Sequence, residues 1–233
     1  MNLKIRYSLL KYLIIEFCLY KDYLYLRLEL SNVSKYRTIQ TQSEGMYKEK
    51  GSKFIGYVIS CYSEEEVKSQ LANWKEQNQQ AGHLCYAYRL GVDKDRCRAN
   101  DDGEPNNSAG APILGQIESY DLTNVLIGVV RYYGGINLGV GGLINAYRTS
   151  AKVAIENGVI EELEIYQWYE LSFGYEDMPH IMNLIKKKQL HVSNKTFETI
   201  CKITLRIKLD LVEEITANLN AFSSMEIQNK GVY

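Results

Sequence analysis

A run of glycines between two apolar segments constrains this chain more than any other feature. Residues 131–147 read RYYGGINLGVGGLINAY, with glycine at Gly134, Gly135, Gly139, Gly141 and Gly142. The residues before them, 124–133, are almost continuously apolar, which is typical of a strand buried on both faces. After them, apolar residues recur at helical spacing as far as a stop signal at Asn157-Gly158. The pattern predicts a strand, a glycine turn and a helix.

The glycine turn is a candidate anion site. Glycine adopts positive φ and lets another group approach the backbone closely, and the first N–H groups of a helix lack partners within it. Arg131, just before the turn, is a natural phosphate partner, so we assign Arg131 and the five glycines to this site. We also expect positive φ at Gly141. The spacing of the glycines fits neither the Walker phosphate loop nor the G-x-G-x-x-G dinucleotide fingerprint. The alternative explanation is a tight turn that packs a helix onto a sheet.

Composition places the chain among ordinary globular proteins. Its 233 residues suit one large domain or two small ones, and the net charge of −1 provides no overall basic field for nucleic acid. The five cysteines, at positions 18, 61, 85, 97 and 201, include no C-x-x-C pair. That pattern favours reduced thiols in a cytoplasm over a disulfide framework or a zinc site.

Residues 1–34 differ in pattern from the rest of the chain. They are rich in Leu, Ile and Tyr, but charged residues interrupt every apolar run. No run approaches the ~20 apolar residues of a membrane span, and no signal-peptide cleavage site is evident. We interpret the segment as an N-terminal extension that is dispensable for folding and reflects a start site placed too far upstream.

The segment 91–107 reads as a polar loop that ends in an acidic motif. The motif comprises Asp101, Asp102, Gly103, Glu104 and Pro105. Its carboxylates are oxygen ligands of the kind that bind divalent cations, but their spacing fails the EF-hand pattern. We therefore interpret it as a solvated loop of unknown role. Ser108 is predicted to cap the short helix that follows.

The histidines and cysteines offer one further candidate. His83 and Cys85 lie two apart on a predicted strand and so share a face, as a Cys–His dyad would require. No third residue orients or activates them, and His180 and His191 lie in separate elements. The sequence therefore predicts no catalytic residue, no metal and no cofactor.

From about residue 161 the predicted order of elements is βαββαβ, the ferredoxin-like unit. Lys202, Arg206 and Lys208 alternate with apolar residues and form a basic stripe on one strand face. Sheets of this type bind RNA when aromatic rings stack on bases. Tyr166, Trp168 or Tyr175 could supply rings, although the sequence leaves their faces open. An ordinary hydrated sheet face is the alternative.

Four segments together resemble the YigZ/Impact family: KGSKFIGY, HLCYAYRLG, DDGEPNNSAG and TNVLIGVVRYYGGINLGVGGLINAY. The resemblance covers about residues 35–160, and the βαββαβ tail fits the second domain of bacterial members. It implies an α+β protein whose first domain is a left-handed βαβ domain of the type shared by a ribosomal protein and domain IV of elongation factor G. The resemblance divides the chain into three parts: an unmatched extension over residues 1–34, an Impact-type domain over 35–160 and a ferredoxin-like domain over 161–233. At Asn106 the chain departs from the Ser-Gly-Thr expected after DDGEP, although Asn107 can still adopt positive φ.

The resemblance also implies a function, because Impact proteins are associated with translation control. Two hypotheses follow. The first is a non-catalytic binder of RNA, the ribosome or a protein, with no membrane role, that uses the glycine turn and the sheet faces. The second is an enzyme that acts on a phosphorylated small molecule held by the glycine turn. The lack of a recognisable base, nucleophile or metal cluster in the sequence favours the binder.

Overall fold

The computed structural model describes residues 34–222 and 225–232, so nearly all of the predicted N-terminal extension lies outside the described residues. The described chain divides into two units between Leu163 and Glu164. The first unit holds residues 35–163. Residue 34 groups with the second unit, which is otherwise formed by the chain from Glu164 onward.

The first unit is built on an antiparallel five-stranded sheet of order β2-β3-β6-β4-β5. Its strands are β2 (Ser43–Glu49), β3 (Ser52–Ser60), β4 (His83–Leu90), β5 (Arg96–Asn100) and β6 (Val125–Tyr132), and a separate pair joins β1 (Lys35–Ile39) to β7 (Ile160–Glu164). The helices are α1 (Glu64–Gln77), α2 (Gly110–Ser119) and α3 (Gly139–Glu156).

Helices on both faces of this sheet bury its central strand. Helices α2 and α3 pack on one face around Ile113 and Tyr147, while α1 places Trp74 on the other. Seven of the eight residues of β6 are buried as a result. The predicted sequence of buried strand, glycine segment and helix is confirmed. The predicted loop at 91–107 is partly wrong, because it contains the edge strand β5.

The second unit has the predicted element order βαββαβ. Its elements are β8 (Tyr166–Phe173), α4 (Met178–Lys187), β9 (His191–Phe197), β10 (Cys201–Lys208), α5 (Val212–Leu219) and β11 (Glu226–Val232), with single 3₁₀ turns at Tyr175–Asp177 and Leu209–Leu211. The antiparallel sheet has the order β11-β8-β10-β9. Helices α4 and α5 cover one face through Ile181 and Ile215.

The α+β class is confirmed by these elements. The assignment of the first unit to the ribosomal-protein type and of the second to the ferredoxin-like type stays a prediction. The cap predicted at Ser108 is wrong: helix α2 begins after Ala109, and the Ser108 hydroxyl donates to the carbonyl of Pro105 at 2.6 Å.

Candidate functional site

The glycine segment is divided between a loop and a helix rather than forming one turn. Gly134 and Gly135 lie in the loop after β6, whereas Gly139, Gly141 and Gly142 lie in the first turn of α3. Helix α3 therefore begins earlier than the helical spacing of its apolar residues alone indicated.

Gly134 is required by a close backbone contact with the β2–β3 turn. A Cβ atom at Gly134 would lie 2.0 Å from the carbonyl carbon of Gly51, far inside contact distance. The Gly134 amide also donates to the Ser52 hydroxyl at 3.2 Å, and Ser52 is fully buried. The loop is thus fixed against the hairpin.

Positive φ occurs at two of the five glycines. Gly135 has φ +84° and Gly139 has φ +71°, the left-handed region that favours glycine. The expectation of positive φ at Gly141 is wrong, and a Cβ there would meet no atom within 4 Å. A residue with a side chain would therefore be strained at Gly135 and Gly139 rather than at Gly141.

The start of α3 is open to solvent. No side chain caps it, because the N-cap position is held by Leu138. Gly139, Val140 and Gly141 are exposed, so the first backbone N–H groups of the helix are accessible. An anion could accept hydrogen bonds there and would interact favourably with the positive end of the helix dipole.

Arg131 points into a buried polar cluster rather than standing free for an external anion. Its Nη1 donates to Glu104 Oε1 at 2.7 Å, with 8% and 4% of the two side chains exposed. The Tyr147 hydroxyl donates to the same oxygen at 2.7 Å, and burial raises the pKa of Tyr147, which keeps the hydroxyl protonated. The guanidinium also lies 5.6 Å from the ring centroid of Phe54 and 5.3 Å from that of Tyr133. Glu104 thus neutralises the charge of Arg131.

The acidic motif is a structural clamp, and its interpretation as a solvated loop is wrong for Glu104, which is buried. Asp101 takes the capping role predicted for Ser108: its carboxylate accepts from the amides of Asn107, Ala109 and Gly110 at 2.8–3.0 Å. Asp102 accepts from the Leu84 amide at 2.7 Å. The motif thus joins β4, β6 and the start of α2. Its turn has positive φ at Asp102, Gly103 and Asn107, as expected for Asn107.

His83 and Cys85 share a face but do not form a nucleophilic pair. Cys85 is fully buried, its thiol donates to the Asp101 carbonyl at 3.0 Å, and burial raises its pKa to about 12. The Nδ1 atom of His83 lies 2.6 Å from the Asp102 carbonyl, which can only accept, so Nδ1 carries the proton. Each residue is bonded to the acidic motif instead of to the other.

The basic stripe lies on the face of the second sheet that α4 and α5 leave uncovered. We call this surface the outer face and define it by Tyr166, Trp168, Lys202, Arg206 and Lys208. On β10 the three cations occupy positions that alternate with the fully buried Cys201, Ile203, Leu205 and Ile207. The predicted alternation is confirmed.

The structure adds two aromatic rings to the stripe. Strand β8 pairs with β10 so that Trp168 is opposite Arg206 and Tyr166 is opposite Lys208. The inward positions of β8 hold Tyr169, Leu171 and Phe173, so Tyr166 and Trp168 face outward. Tyr175, the third ring considered from the sequence, lies in the 3₁₀ turn beyond the strand.

The charges of the outer face are mixed. The Arg206 guanidinium carbon lies 4.4 Å from the ring centroid of Tyr166. Lys208 pairs with Glu164 at 3.5 Å, whereas Lys202 is exposed and makes no ion pair within the part of the chain that the structure describes. Lys230 pairs with Glu170 on the neighbouring strands at 3.3 Å. The stripe is therefore basic but partly compensated.

Within the described ranges, 34–222 and 225–232, the chain forms neither a metal cluster nor a membrane-spanning helix. No three His, Cys, Asp or Glu residues in them are grouped so as to hold a metal ion. None of the helices in those ranges is both long enough and apolar enough to span a membrane.

Comparison with known proteins identifies relatives over most of the chain. The Impact N-terminal domain matches residues 50–155. The IMPACT family member YvyE of Bacillus subtilis is 32% identical over 170 residues, which are 70% of this chain and 78% of that protein. A crystal structure described as that of a hypothetical protein matches with a TM-score of 0.66 and 26% identity, over 84% of this chain and 97% of the other. Yih1, described as a two-domain translational regulator, matches with a TM-score of 0.34 and 24% identity, over 51% and 48% of the two chains.

Proposed function

The chain belongs to the IMPACT family, and we propose that it is a non-catalytic binding protein that acts in translation by contacting RNA. The observation that carries the proposal is the outer face, where Lys202, Arg206 and Lys208 lie along one strand beside two aromatic rings, Lys202 exposed and the other two half-buried. The association of Impact proteins with translation, implied by the family resemblance, supports the choice of ribosomal or messenger RNA as the ligand.

The spacing of the three cations supports a polyanionic ligand. Arg206 and Lys208 are two apart on β10 and so are separated by roughly 7 Å, close to the span of one extended nucleotide. Lys202 is four positions from Arg206, roughly twice that distance, so the three cations can still follow a phosphate backbone. Each phosphate that they neutralise releases counterions, which favours binding at low salt. Because the overall charge is −1 and two lysines near the face are paired with glutamates, we expect micromolar affinity.

The bonding of Cys85 and His83 supports the non-catalytic part of the proposal. The thiol of Cys85 is buried, protonated at neutral pH and engaged with the Asp101 carbonyl. His83 is engaged with the same loop. Neither residue is available to act on a substrate at the protein surface.

Co-sedimentation with ribosomes tests this function. We compare the full-length protein with the triple reversal variant, Lys202→Glu/Arg206→Glu/Lys208→Glu. The matched control is Lys195→Glu, because Lys195 on β9 pairs with the inward Ile203 and so belongs to the opposite face. Wild type and control should sediment with ribosomes at low salt, and the triple reversal variant should remain in the supernatant. Equal sedimentation of wild type, control and triple reversal variant would contradict the proposal that the outer face contacts the ribosome. Binding that survives digestion of the RNA would indicate a protein partner instead.

A phosphorylated small molecule bound at the start of α3 is the second candidate ligand, and it would suit an enzyme. The observation in its favour is the uncapped, exposed helix start at Gly139–Gly141. Arg131 contributes less to anion binding than the sequence suggested, because Glu104 neutralises its charge. A screen of melting temperature against nucleotides and sugar phosphates tests this candidate, since a ligand that binds only the folded state raises that temperature.

A further inference from the structure

We infer that the outer face recognises single-stranded RNA by stacking unpaired bases on Trp168 and on the Tyr166–Arg206 pair. This inference rests on the proposed function and specifies the form of RNA that the face accepts. It follows from the three planar groups that the pairing of β8 with β10 brings together.

The three planar groups occupy neighbouring positions. Tyr166 and Trp168 are two apart on β8 and therefore point to the same side, roughly 7 Å from each other. Arg206 is directly opposite Trp168 across the strand pair, and its guanidinium lies over the Tyr166 ring at 4.4 Å. Aromatic rings and guanidinium planes are the surfaces on which proteins stack unpaired bases.

Arg206 is held for stacking rather than for an ion pair. Its Nε is buried and has no hydrogen-bond partner, and the guanidinium makes no ion pair with any described residue. A cation held over a ring without a carboxylate keeps its charge for a ligand. Lys208 differs, because Glu164 already pairs with it.

The positive charge of the outer face does not by itself favour the binding of a duplex. Glu164 and Glu170 compensate two of the lysines near it, which leaves Lys202 and Arg206 as the cations without an ion pair among the described residues of the face. A duplex presents its phosphates and keeps its bases stacked on one another, so it cannot use the rings. A single strand uses both the cations and the rings, and stacking adds about fivefold to more than a hundredfold in affinity per base.

Fluorescence anisotropy with an unstructured uridine-rich RNA and with a duplex of equal length tests the inference on the full chain. The variant Tyr166→Leu/Trp168→Leu removes the rings and keeps every charge. Its matched control is Tyr175→Leu, which removes an exposed tyrosine outside the sheet. We expect wild type and control to bind the single strand at least tenfold more tightly than the duplex. The ring-deleted variant should lose that preference while keeping its affinity for the duplex.

Fluorescence of Trp168 provides a second readout that does not depend on the folding of the ring-deleted variant. The chain has two tryptophans, and Trp74 is fully buried, so Trp74→Phe leaves Trp168 as the reporter. Titration with the single strand should quench Trp168, and titration with the duplex should not.

The outcomes distinguish this inference from the proposed function. Equal affinity for both RNAs, lost on reversal of the three charges, would overturn stacking and leave RNA binding intact. Single-strand binding without quenching of Trp168 would also overturn it. Failure to bind either RNA would overturn the proposed function and this inference together.

Discussion

Arg131 and Glu104 form an ion pair across 2.7 Å with less than one-tenth of either side chain exposed. Arg131 is the next-to-last residue of the central strand β6, and Glu104 belongs to the acidic motif that also fixes β4 and α2. The pair therefore joins two of the four segments that carry the family resemblance. The ion pair thus gives both charged residues a role in the fold.

We predict that Glu104→Gln lowers the stability of the first unit by about 3 kcal/mol or more, because the substitution leaves a buried guanidinium without a counter-charge. Glutamine preserves an acceptor for the Tyr147 hydroxyl, so the effect isolates the charge. The measurement is urea unfolding followed by Trp74 fluorescence in a Trp168→Phe background.

The double variant Glu104→Gln/Arg131→Met is the control for that prediction. It removes both charges together, so its loss should be smaller than the loss for Glu104→Gln alone. A loss below about 1 kcal/mol for the single variant would show that the pair contributes little.

Two alanine substitutions within the glycine segment should have opposite effects. Gly134→Ala should destabilise the protein, because its Cβ would lie 2.0 Å from the backbone of Gly51. Gly141→Ala should stabilise it by about 0.5–1 kcal/mol, because the position is helical and a Cβ there meets no atom within 4 Å. Melting temperatures decide the matter, and similar shifts for both variants would refute the close contact at Gly134.

A carboxylate placed in the first turn of α3 should exclude an external anion. Gly141→Asp puts a negative charge among the accessible N–H groups, and Gly141→Asn is its uncharged match. If phosphate, nucleotides or sugar phosphates raise the melting temperature of wild type, they should also raise that of the asparagine variant and not that of the aspartate variant. Equal ligand shifts in both variants would place the anion site elsewhere.

The cysteines should differ sharply in reactivity toward an alkylating reagent. At pH 8 roughly one ten-thousandth of Cys85 is thiolate, because burial raises its pKa to about 12. The fraction increases as pH rises toward that value. Cys97 is exposed and should be labelled within minutes, whereas Cys85 should react only when the fold opens. Peptide mass spectrometry after labelling with and without urea measures both, and rapid labelling of native Cys85 would contradict its burial.

Local signals made the order of elements around the glycine segment predictable. A long apolar run, clustered glycines and helical spacing each report on neighbouring residues. Strands β2 and β5 were harder to detect because edge strands such as RCRAN lack an apolar pattern. The start of α3 lies earlier than the sequence indicated, because three of the glycines fall inside its first turn.

The buried ion pair could not be predicted, because its partners lie 27 residues apart and burial of a charge leaves no trace in composition. The outer face was only half predictable. Alternation on β10 is unambiguous, but β8 reads YQWYELSF, with rings at positions of both parities. Only the pairing of β8 with β10 decides which rings accompany the cations.

The salt dependence of RNA affinity tests the outer face most directly. Three phosphate contacts predict that the slope of log K against log salt for a single strand is steeper by about 2 in wild type than in the triple reversal variant. Affinity at low salt should fall more than tenfold in that variant, with an unchanged circular dichroism spectrum, and Lys195→Glu should match wild type. Parallel slopes and equal affinities across the series would contradict RNA binding by Lys202, Arg206 and Lys208.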